Sequence, residues 1–118
     1  MAKIKPGEAV LDLGSGLAVD SFIAAARVGE QGTVVGLDIS KKEVQHAQKR
    51  AKLRGIDNRV SFVNADMENM PLPDNSIDCV ISNGAFCLAP NKKKAFSEIM
   101  RVLKPGGRMS VSTSTMKI

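Results

Sequence analysis

Short β-rich runs alternate with helical stretches along the chain, and this alternation limits the fold more than any other feature of the sequence. Runs rich in apolar and β-branched residues predict strands at Ala9–Leu13, Thr33–Asp38, Val60–Asn64, Ile77–Ser82 and Arg108–Thr115. Apolar residues at helical spacing predict helices at Ser21–Val28, Lys41–Leu53 and Lys92–Leu103. Strands that alternate with helices are typical of an α/β fold with a doubly wound parallel sheet.

The second predicted helix has the clearest end signals. Ser40 stands three residues before Glu43, which is the spacing of an N-terminal capping box, and Gly55 follows as a stop. One face of this helix is basic and consists of Lys41, Lys42, Lys49, Arg50, Lys52 and Arg54. Positive charge near the end of a helix is favoured by the helix dipole, so we interpret this face as solvated.

Composition narrows the partners that the chain can recognise. It has 118 residues, enough for one domain, and a formal net charge of +5. A basic surface for nucleic acid is the alternative to a solvated basic face. However, only 3% of the residues are aromatic, whereas modules for single-stranded nucleic acid stack bases on aromatic rings. We therefore do not expect a nucleic-acid partner.

Cysteine and histidine are too scarce for a disulfide framework or a zinc site. The sequence contains Cys79, Cys87 and His46, with no CxxC pair, so we expect no metal. We interpret Cys79 as a small core residue of the fourth strand and His46 as a surface residue. No segment approaches the roughly 18 apolar residues of a membrane span. A cytoplasmic protein with no membrane partner is the expectation.

The first predicted strand ends in a glycine-rich turn, Asp12-Leu13-Gly14-Ser15-Gly16. Ligands of doubly wound sheets bind beyond the carboxyl ends of the strands, and glycines allow close approach of the backbone. A dinucleotide-binding turn would have a third glycine where Val19 stands. A carboxylate at Asp12 would also repel a pyrophosphate, whereas it would attract an ammonium group. The turn therefore favours a ligand with an amino-acid-like part over a diphosphate.

Acidic residues follow the second and third predicted strands. Asp38 comes about 20 residues after the glycine turn, where a carboxylate accepts hydrogen bonds from a ribose diol. Asp66 is placed to accept from an adenine amino group, with Met67 packing on the ring. Together these residues predict a nucleoside that carries an amino-acid tail and no phosphates.

An ordered set of motifs carries a resemblance to a known family. The motifs are Val10-Leu11-Asp12-Leu13-Gly14-Ser15-Gly16, Gly36-Leu37-Asp38, Asn64-Ala65-Asp66, Leu72-Pro73-Asp74-Asn75-Ser76-Ile77-Asp78 and Arg101-Val102-Leu103-Lys104-Pro105-Gly106-Gly107-Arg108. In this order they resemble the class I S-adenosylmethionine-dependent methyltransferases, over almost the whole chain. The resemblance implies a Rossmann-like core with strand order 3-2-1-4-5 and S-adenosylmethionine as the cofactor.

The resemblance also implies roles for individual residues. Asp12, Gly14 and Gly16 would hold the methionine part, Asp38 the ribose, and Asp66 and Met67 the adenine. Asn83, just past the fourth strand, would lie near the reacting methyl group. The full set of expected cofactor-binding residues is Asp12, Gly14, Ser15, Gly16, Asp38, Ile39, Asp66, Met67 and Asn83. No residue is assigned as a catalytic acid or base.

Within the class, three segments are similar to arsenite methyltransferases: Gly16–Asp20, Ile81-Ser82-Asn83 and Leu88–Lys92. That family binds trivalent arsenic through cysteine thiolates, which suit a soft metalloid. Two of its cysteine positions correspond to Ser21 and Gly84, neither of which supplies a thiolate, and Cys87 alone is not a multidentate site. The predicted activity is methyl transfer to a small molecule. Acceptors of the quinone-biosynthesis type remain open beside arsenite.

Three other functions are alternatives. The first is a non-catalytic module that binds S-adenosylmethionine or a partner and keeps only the cofactor half of the fold. The second is methylation of RNA, guided by the basic charge. The third is a nicotinamide oxidoreductase, against which Val19 and Asp12 argue.

The length leads to a further expectation about the sheet. We expect 1–118 to be a single S-adenosylmethionine-binding core that ends after strand five of the family's seven. Strand five would then be an exposed edge, and its run Met109–Thr113 is uncharged. Such an edge pairs readily with another copy. The sequence therefore predicts a homo-oligomer through this edge.

Overall fold

The computed structural model describes residues 3–82 and 89–111 and the backbone of 114–117. In chain order the elements are β1 (Ala9–Leu13), α1 (Val19–Val28), β2 (Thr33–Asp38), α2 (Lys41–Leu53), β3 (Val60–Asn64), β4 (Ile77–Ser82), α3 (Lys92–Val102), β5 (Leu103–Val111) and β6 (Ser114–Lys117). The first four strands have the bounds that the sequence predicts, because their apolar runs are bounded by glycine, polar or proline-rich turns.

The strands form one sheet in the order β3-β2-β1-β4-β5-β6. Neighbouring strands from β3 to β5 pair in parallel, so the predicted α/β fold and the order 3-2-1-4-5 are confirmed. The carboxyl ends of β1, β2 and β3 therefore lie side by side at one edge. In register, Asp12 is opposite Gly36, and Asp38 is opposite Asn64.

The last part of the sheet differs from the prediction. Strand β5 begins at Leu103 and ends at Val111, whereas Ser114 and Thr115 belong to β6, which returns antiparallel to β5. Between Arg108 and Val111 the outer edge of β5 is therefore paired within the chain. A hairpin satisfies the edge N–H and C=O groups that would otherwise recruit another copy. The expectation of an exposed β5 edge is wrong over these residues. The paired edge therefore gives no support to the predicted homo-oligomer.

The helices begin and end for identifiable local reasons. Helix α1 starts at Val19, two residues before the predicted start, because Ala18 with φ 67° forms its N-cap. At the start of α2 the Ser40 hydroxyl accepts the Glu43 N–H at 3.3 Å, as the capping pattern predicts. Gly55 ends that helix region with φ 71°, a left-handed conformation in which glycine is not strained.

Each face of the sheet has its own hydrophobic core. Helices α1 and α2 cover one face, where the buried side chains include Val10, Val34, Phe62, Ala25 and Ala47. Helix α3 and the segment between β3 and β4 cover the other face, where they include Leu11, Leu13, Leu37, Met70, Val80 and Ile99. The central strands thus bury apolar residues on both faces, which is why they read as continuous apolar runs. Cys79 is also fully buried, as predicted.

A carboxyl group lies inside the first of these cores. Asp12 on β1 is only 3% exposed and accepts a hydrogen bond of 2.6 Å from the Ser21 hydroxyl of α1, which is itself buried. Burial raises the pKa of Asp12 to about 7, against the opposing effect of the Ser21 hydrogen bond. The pair joins β1 to α1 directly below the glycine turn.

One arginine holds the segment between β3 and β4 against α3. The Arg101 guanidinium donates to the carbonyl oxygens of Met70 and Leu72 and to the carboxylates of Asp74 and Glu98, at 2.7 to 3.1 Å. Glu98 in turn accepts the Met70 N–H at 2.7 Å. Hydrogen bonding to Arg101 lowers the pKa of Glu98. The segment between β3 and β4 contains no described helix, and this hydrogen-bond network keeps Met70 and Leu72 packed on the sheet.

Replacing Arg101 tests this network. In Arg101→Met the apolar stem is kept, but two backbone carbonyl oxygens and two carboxylates lose their donor. We expect the free energy of unfolding in urea to fall by about 1 to 2 kcal/mol. Lys104→Met is the matched control, because Lys104 pairs with Asp78 at 3.3 Å on the surface and should change stability by at most about 0.5 kcal/mol. Equal effects of the two substitutions would show that the network does not hold this segment.

The buried carboxyl predicts a pH-dependent difference between wild type and Asp12→Asn. A carboxyl whose pKa rises from 3.8 when unfolded to about 7 when folded costs stability as the pH rises between those values. Relative to Asp12→Asn, wild-type stability should therefore fall between about pH 4 and pH 7 and stay constant above, by up to about 4 kcal/mol. Urea unfolding at several pH values measures this difference.

Ser21→Ala provides the control for the pH profile. The hydrogen bond from the Ser21 hydroxyl lowers the pKa of Asp12. In Ser21→Ala the pKa should therefore be higher, and the fall in stability should continue to higher pH than in the wild type. A difference between wild type and Asp12→Asn that does not change with pH would contradict the assignment.

Candidate functional site

The turn after β1 is anchored to the end of β2. The Leu37 carbonyl oxygen accepts the N–H groups of both Gly14 and Ser15, at 2.7 and 3.1 Å. Gly14 and Gly16 have φ values of 66° and 50°, a left-handed conformation that favours glycine. Among the described residues, a Cβ built on Gly16 would have only the Gly14 oxygen within 4 Å, at 3.9 Å. The turn therefore leaves open space beside Gly16 into which a ligand could approach the backbone.

Asp38, at the end of β2, connects this turn to the start of α2. Its two carboxylate oxygens accept the Gly16 N–H at 2.7 Å and the Ser40 N–H at 2.8 Å. Asp38 is half-buried, so the residue is not fully shielded from solvent. Each carboxylate oxygen has a second lone pair. The carboxylate can thus accept two further hydrogen bonds without losing its bonds to the protein.

The end of β3 is joined to the same place. The Asn64 amide donates to the carbonyl oxygens of Asp38 and Ile39, at 3.1 and 2.9 Å. The Ala65 N–H donates to the Asp38 carbonyl oxygen at 3.1 Å. Asp66 follows in a turn, where its carboxylate accepts the Glu68 N–H at 2.9 Å. Three strand ends are therefore linked through one residue, Asp38.

Helix α1 begins beside this network without a side-chain cap. Ala18 is its N-cap residue, and within the described part of the chain this helix has no side-chain cap hydrogen bond. By contrast, Ser40 caps α2 and Asn91 caps α3. Uncapped N–H groups at a helix N-terminus favour a negatively charged group. They lie next to Gly16 in the chain, so an anionic group beside Gly16 would be within their reach.

The structure brings together most of the predicted site residues. Gly14, Gly16, Asp38, Ile39 and Asp66 lie at or just beyond the carboxyl ends of β1, β2 and β3. The Ile39 side chain is 77% exposed, an apolar surface directly beside Asp38. Met67 is partly buried against the second core, so part of it remains accessible.

Two other expected residues are placed differently. The Ser15 side chain packs inward: its Cβ lies 3.1 Å from the position of a Cβ on Gly36, and its buried hydroxyl oxygen has no hydrogen-bond partner among the described residues. Asp12 lies under α1 with Ser21 as its partner. Their roles toward a ligand therefore remain predictions. Asn83 lies outside the described residues, as do Gly84 and Cys87.

Sequence reasoning missed three residues that shape the site. Gly36 allows the Phe62 ring and the turn to pack closely on β2, because a Cβ there would lie 2.5 Å from the Phe62 ring and 3.1 Å from the Ser15 Cβ. Ala18 adopts a left-handed conformation that costs an alanine about 1 kcal/mol or more. Asn64 holds the backbone at Asp38. The position of Gly36 inside a predicted strand is a sequence signal of close packing. The roles of Ala18 and Asn64 depend on backbone conformation and contacts that the sequence does not reveal.

The described residues contain no cluster of three or more histidine, cysteine or acidic side chains that could hold a metal ion. Burial raises the pKa of the Cys79 thiol to about 11, so the thiol is inert as a metal ligand.

Among the described helices, none combines the length and apolar character needed to cross a bilayer. His46 is exposed on α2, as predicted.

Known proteins match this chain over nearly its whole length. A family model described as a methyltransferase domain matches residues 4–117. An arsenite methyltransferase of Halobacterium salinarum is 40% identical over 111 residues, which are 94% of this chain and 28% of that protein. The ubiquinone/menaquinone biosynthesis C-methyltransferase UbiE of Yersinia enterocolitica is 37% identical over 108 residues, 92% of this chain and 43% of that protein. The chain thus spans less than half the length of these relatives.

Solved structures agree with this relationship. The crystal structure of a SAM dependent methyltransferase from Aquifex aeolicus superimposes with a TM-score of 0.87 and 28% sequence identity, covering 92% of this chain and 57% of that one. The range matched by the family model, residues 4–117, contains all three strand ends joined by Asp38. The family match, the sequence identities and the strand order together show that this chain belongs to the class I S-adenosylmethionine-dependent methyltransferases.

Proposed function

We propose that the chain binds S-adenosylmethionine at the carboxyl ends of β1, β2 and β3 and transfers its methyl group to a small-molecule acceptor. The observation that carries this proposal is the position of the Asp38 carboxylate. It is fixed by the N–H groups of Gly16 and Ser40 and still has lone pairs for a ribose diol. A carboxylate placed at the end of the second strand is the usual ribose acceptor of such sheets.

The residues present fit the parts of the cofactor. The space beside Gly16 admits the methionine part to the backbone. The uncapped N-terminus of α1 suits its carboxylate. Exposed Ile39 offers an apolar surface for adenine next to the ribose position, and Asp66 keeps one carboxylate oxygen for the adenine amino group.

The cofactor, when bound, supplies a methyl group already activated by a sulfonium. The protein therefore needs no nucleophilic side chain or acid–base pair for methyl activation. Its own residues bind and orient: Asp38 fixes the ribose, and the Gly14–Gly16 turn fixes the methionine part. Orientation of two reactants for in-line attack, with water excluded, can supply a large share of the rate enhancement.

The choice of acceptor rests on the positions where arsenite methyltransferases have cysteines. One of them is Ser21, which is buried and donates its hydroxyl to Asp12. A hydroxyl in this place is not available to a soft metalloid. This favours a carbon, nitrogen or oxygen nucleophile on a small molecule over trivalent arsenic. The similarity to a quinone C-methyltransferase is consistent with such an acceptor.

A module that binds the cofactor without turnover is the second candidate. Its support is that the described residues placed at the site, Gly16, Asp38 and Asp66, are all assigned to the cofactor and none to an acceptor. In both candidates the cofactor site is the same. Binding of S-adenosylmethionine and transfer of its methyl group are therefore measured separately.

Asp38→Ala tests the proposed site. The wild type should bind S-adenosylhomocysteine in isothermal titration calorimetry and should not bind NAD. Loss of two hydrogen bonds to a charged acceptor should weaken binding by about 100-fold or more. Asp57→Ala is the control: Asp57 is exposed and precedes β3, at the opposite end of that strand, so its replacement should leave the affinity unchanged.

Two results would contradict the proposal. Wild-type protein that binds NAD but not S-adenosylhomocysteine would exclude it. Equal affinities of wild type and Asp38→Ala would place the ligand elsewhere on the protein.

A further inference from the structure

We propose that Asn64 is a positioning residue for cofactor binding: its side chain fixes the backbone of Asp38 and Ile39 and so holds the Asp38 carboxylate in the orientation that receives the ribose. The inference rests on the proposed function, because it assigns a role to Asn64 at the same site.

The contacts of Asn64 are specific to a primary amide. Its Nδ2 atom donates to two carbonyl oxygens, those of Asp38 at 3.1 Å and Ile39 at 2.9 Å. Both partners are acceptors, so only the NH₂ group of the amide can face them. An aspartate of the same shape would place a carboxylate against two carbonyl oxygens. The position therefore requires a side chain with two donors at this reach.

These bonds act on the residue that binds the ligand. Asp38 is opposite Asn64 in the parallel register of β2 and β3. Its carbonyl oxygen accepts from the Asn64 amide and the Ala65 N–H, while its carboxylate accepts from Gly16 and Ser40. Its backbone is thus held from the β3 side and its side chain from the β1 side. Replacing Asn64 removes its bonds to the Asp38 and Ile39 carbonyl oxygens and leaves the Ala65 N–H on Asp38, so the Asp38–Ile39 turn is held less firmly from the β3 side.

A purely stabilising role fits the position less well. Asn64 is exposed at the end of β3, which is an edge strand. Exposed side-chain hydrogen bonds contribute little to global stability because water replaces them. The two hydrogen bonds of Asn64 instead order the Asp38–Ile39 turn locally. Packing does little to order this turn, because Ile39 is 77% exposed. The expected effect of Asn64 is therefore on the ligand more than on the fold.

The experiment compares two ligands in wild type, Asn64→Ala and Asn64→Asp. The ligands are S-adenosylhomocysteine and its analogue that lacks the ribose 2′-hydroxyl, each measured by calorimetry. We expect both substitutions to weaken S-adenosylhomocysteine binding by about 10-fold and analogue binding by less than about 3-fold, since each ribose hydrogen bond to a charged acceptor is worth roughly tenfold or more. The preference for the intact ribose should therefore shrink. Ser61→Ala, on the same strand at an exposed position, should retain the wild-type preference.

The outcomes separate the two proposals. Wild type that binds neither ligand would overturn the proposed function. Wild type that binds both, with variants that keep the same preference for the intact ribose, would overturn the role of Asn64 alone. Thermal unfolding is measured in parallel, and Asn64→Asp, which keeps the size of the side chain, provides the comparison where Asn64→Ala is too unstable.

Discussion

The Asp38 carboxylate accepts the Gly16 N–H at 2.7 Å and the Ser40 N–H at 2.8 Å, while its carbonyl oxygen is held from β3. Three strand ends and the start of α2 are thereby fixed relative to one carboxylate. The parallel sheet brings these ends to one edge, but it does not by itself set the distance between the glycine turn and the acidic residue. The hydrogen bonds of Asp38 do so, and the proposed cofactor site depends on them.

Local conformations that cost stability lie around this carboxylate. Ala18 is left-handed and fully buried at the start of α1, and Asp12 is a carboxyl enclosed in the core that accepts a hydrogen bond from Ser21. Both lie between β1 and α1, beside the helix N-terminus that we propose as part of the cofactor site. Strain and buried polar groups often collect at functional sites and are tolerated because the surrounding packing fixes them. Here that packing consists of the two cores on either side of β1.

Much of this arrangement could be predicted from the residues. The central strands are apolar on both faces, so their bounds follow from glycine and polar residues at their ends, and the motif resemblance supplied the strand order. The hairpin of β5 and β6 could not be predicted, because an alternating run from Arg108 to Thr115 is compatible with one strand or two. The contacts of Asn64 and the inward packing of Ser15 on Gly36 arise only when β1, β2 and β3 are side by side.

We propose that the ligand-binding surface is formed by the turns that Asp38 joins. Titration of ¹⁵N-labelled protein with S-adenosylhomocysteine, followed amide by amide in NMR spectra, tests this proposal. We expect the largest chemical-shift changes at Gly16, Asp38, Ile39, Asp66 and Met67. Absence of any change, or changes confined to the outer faces of α1 and α2, would contradict it.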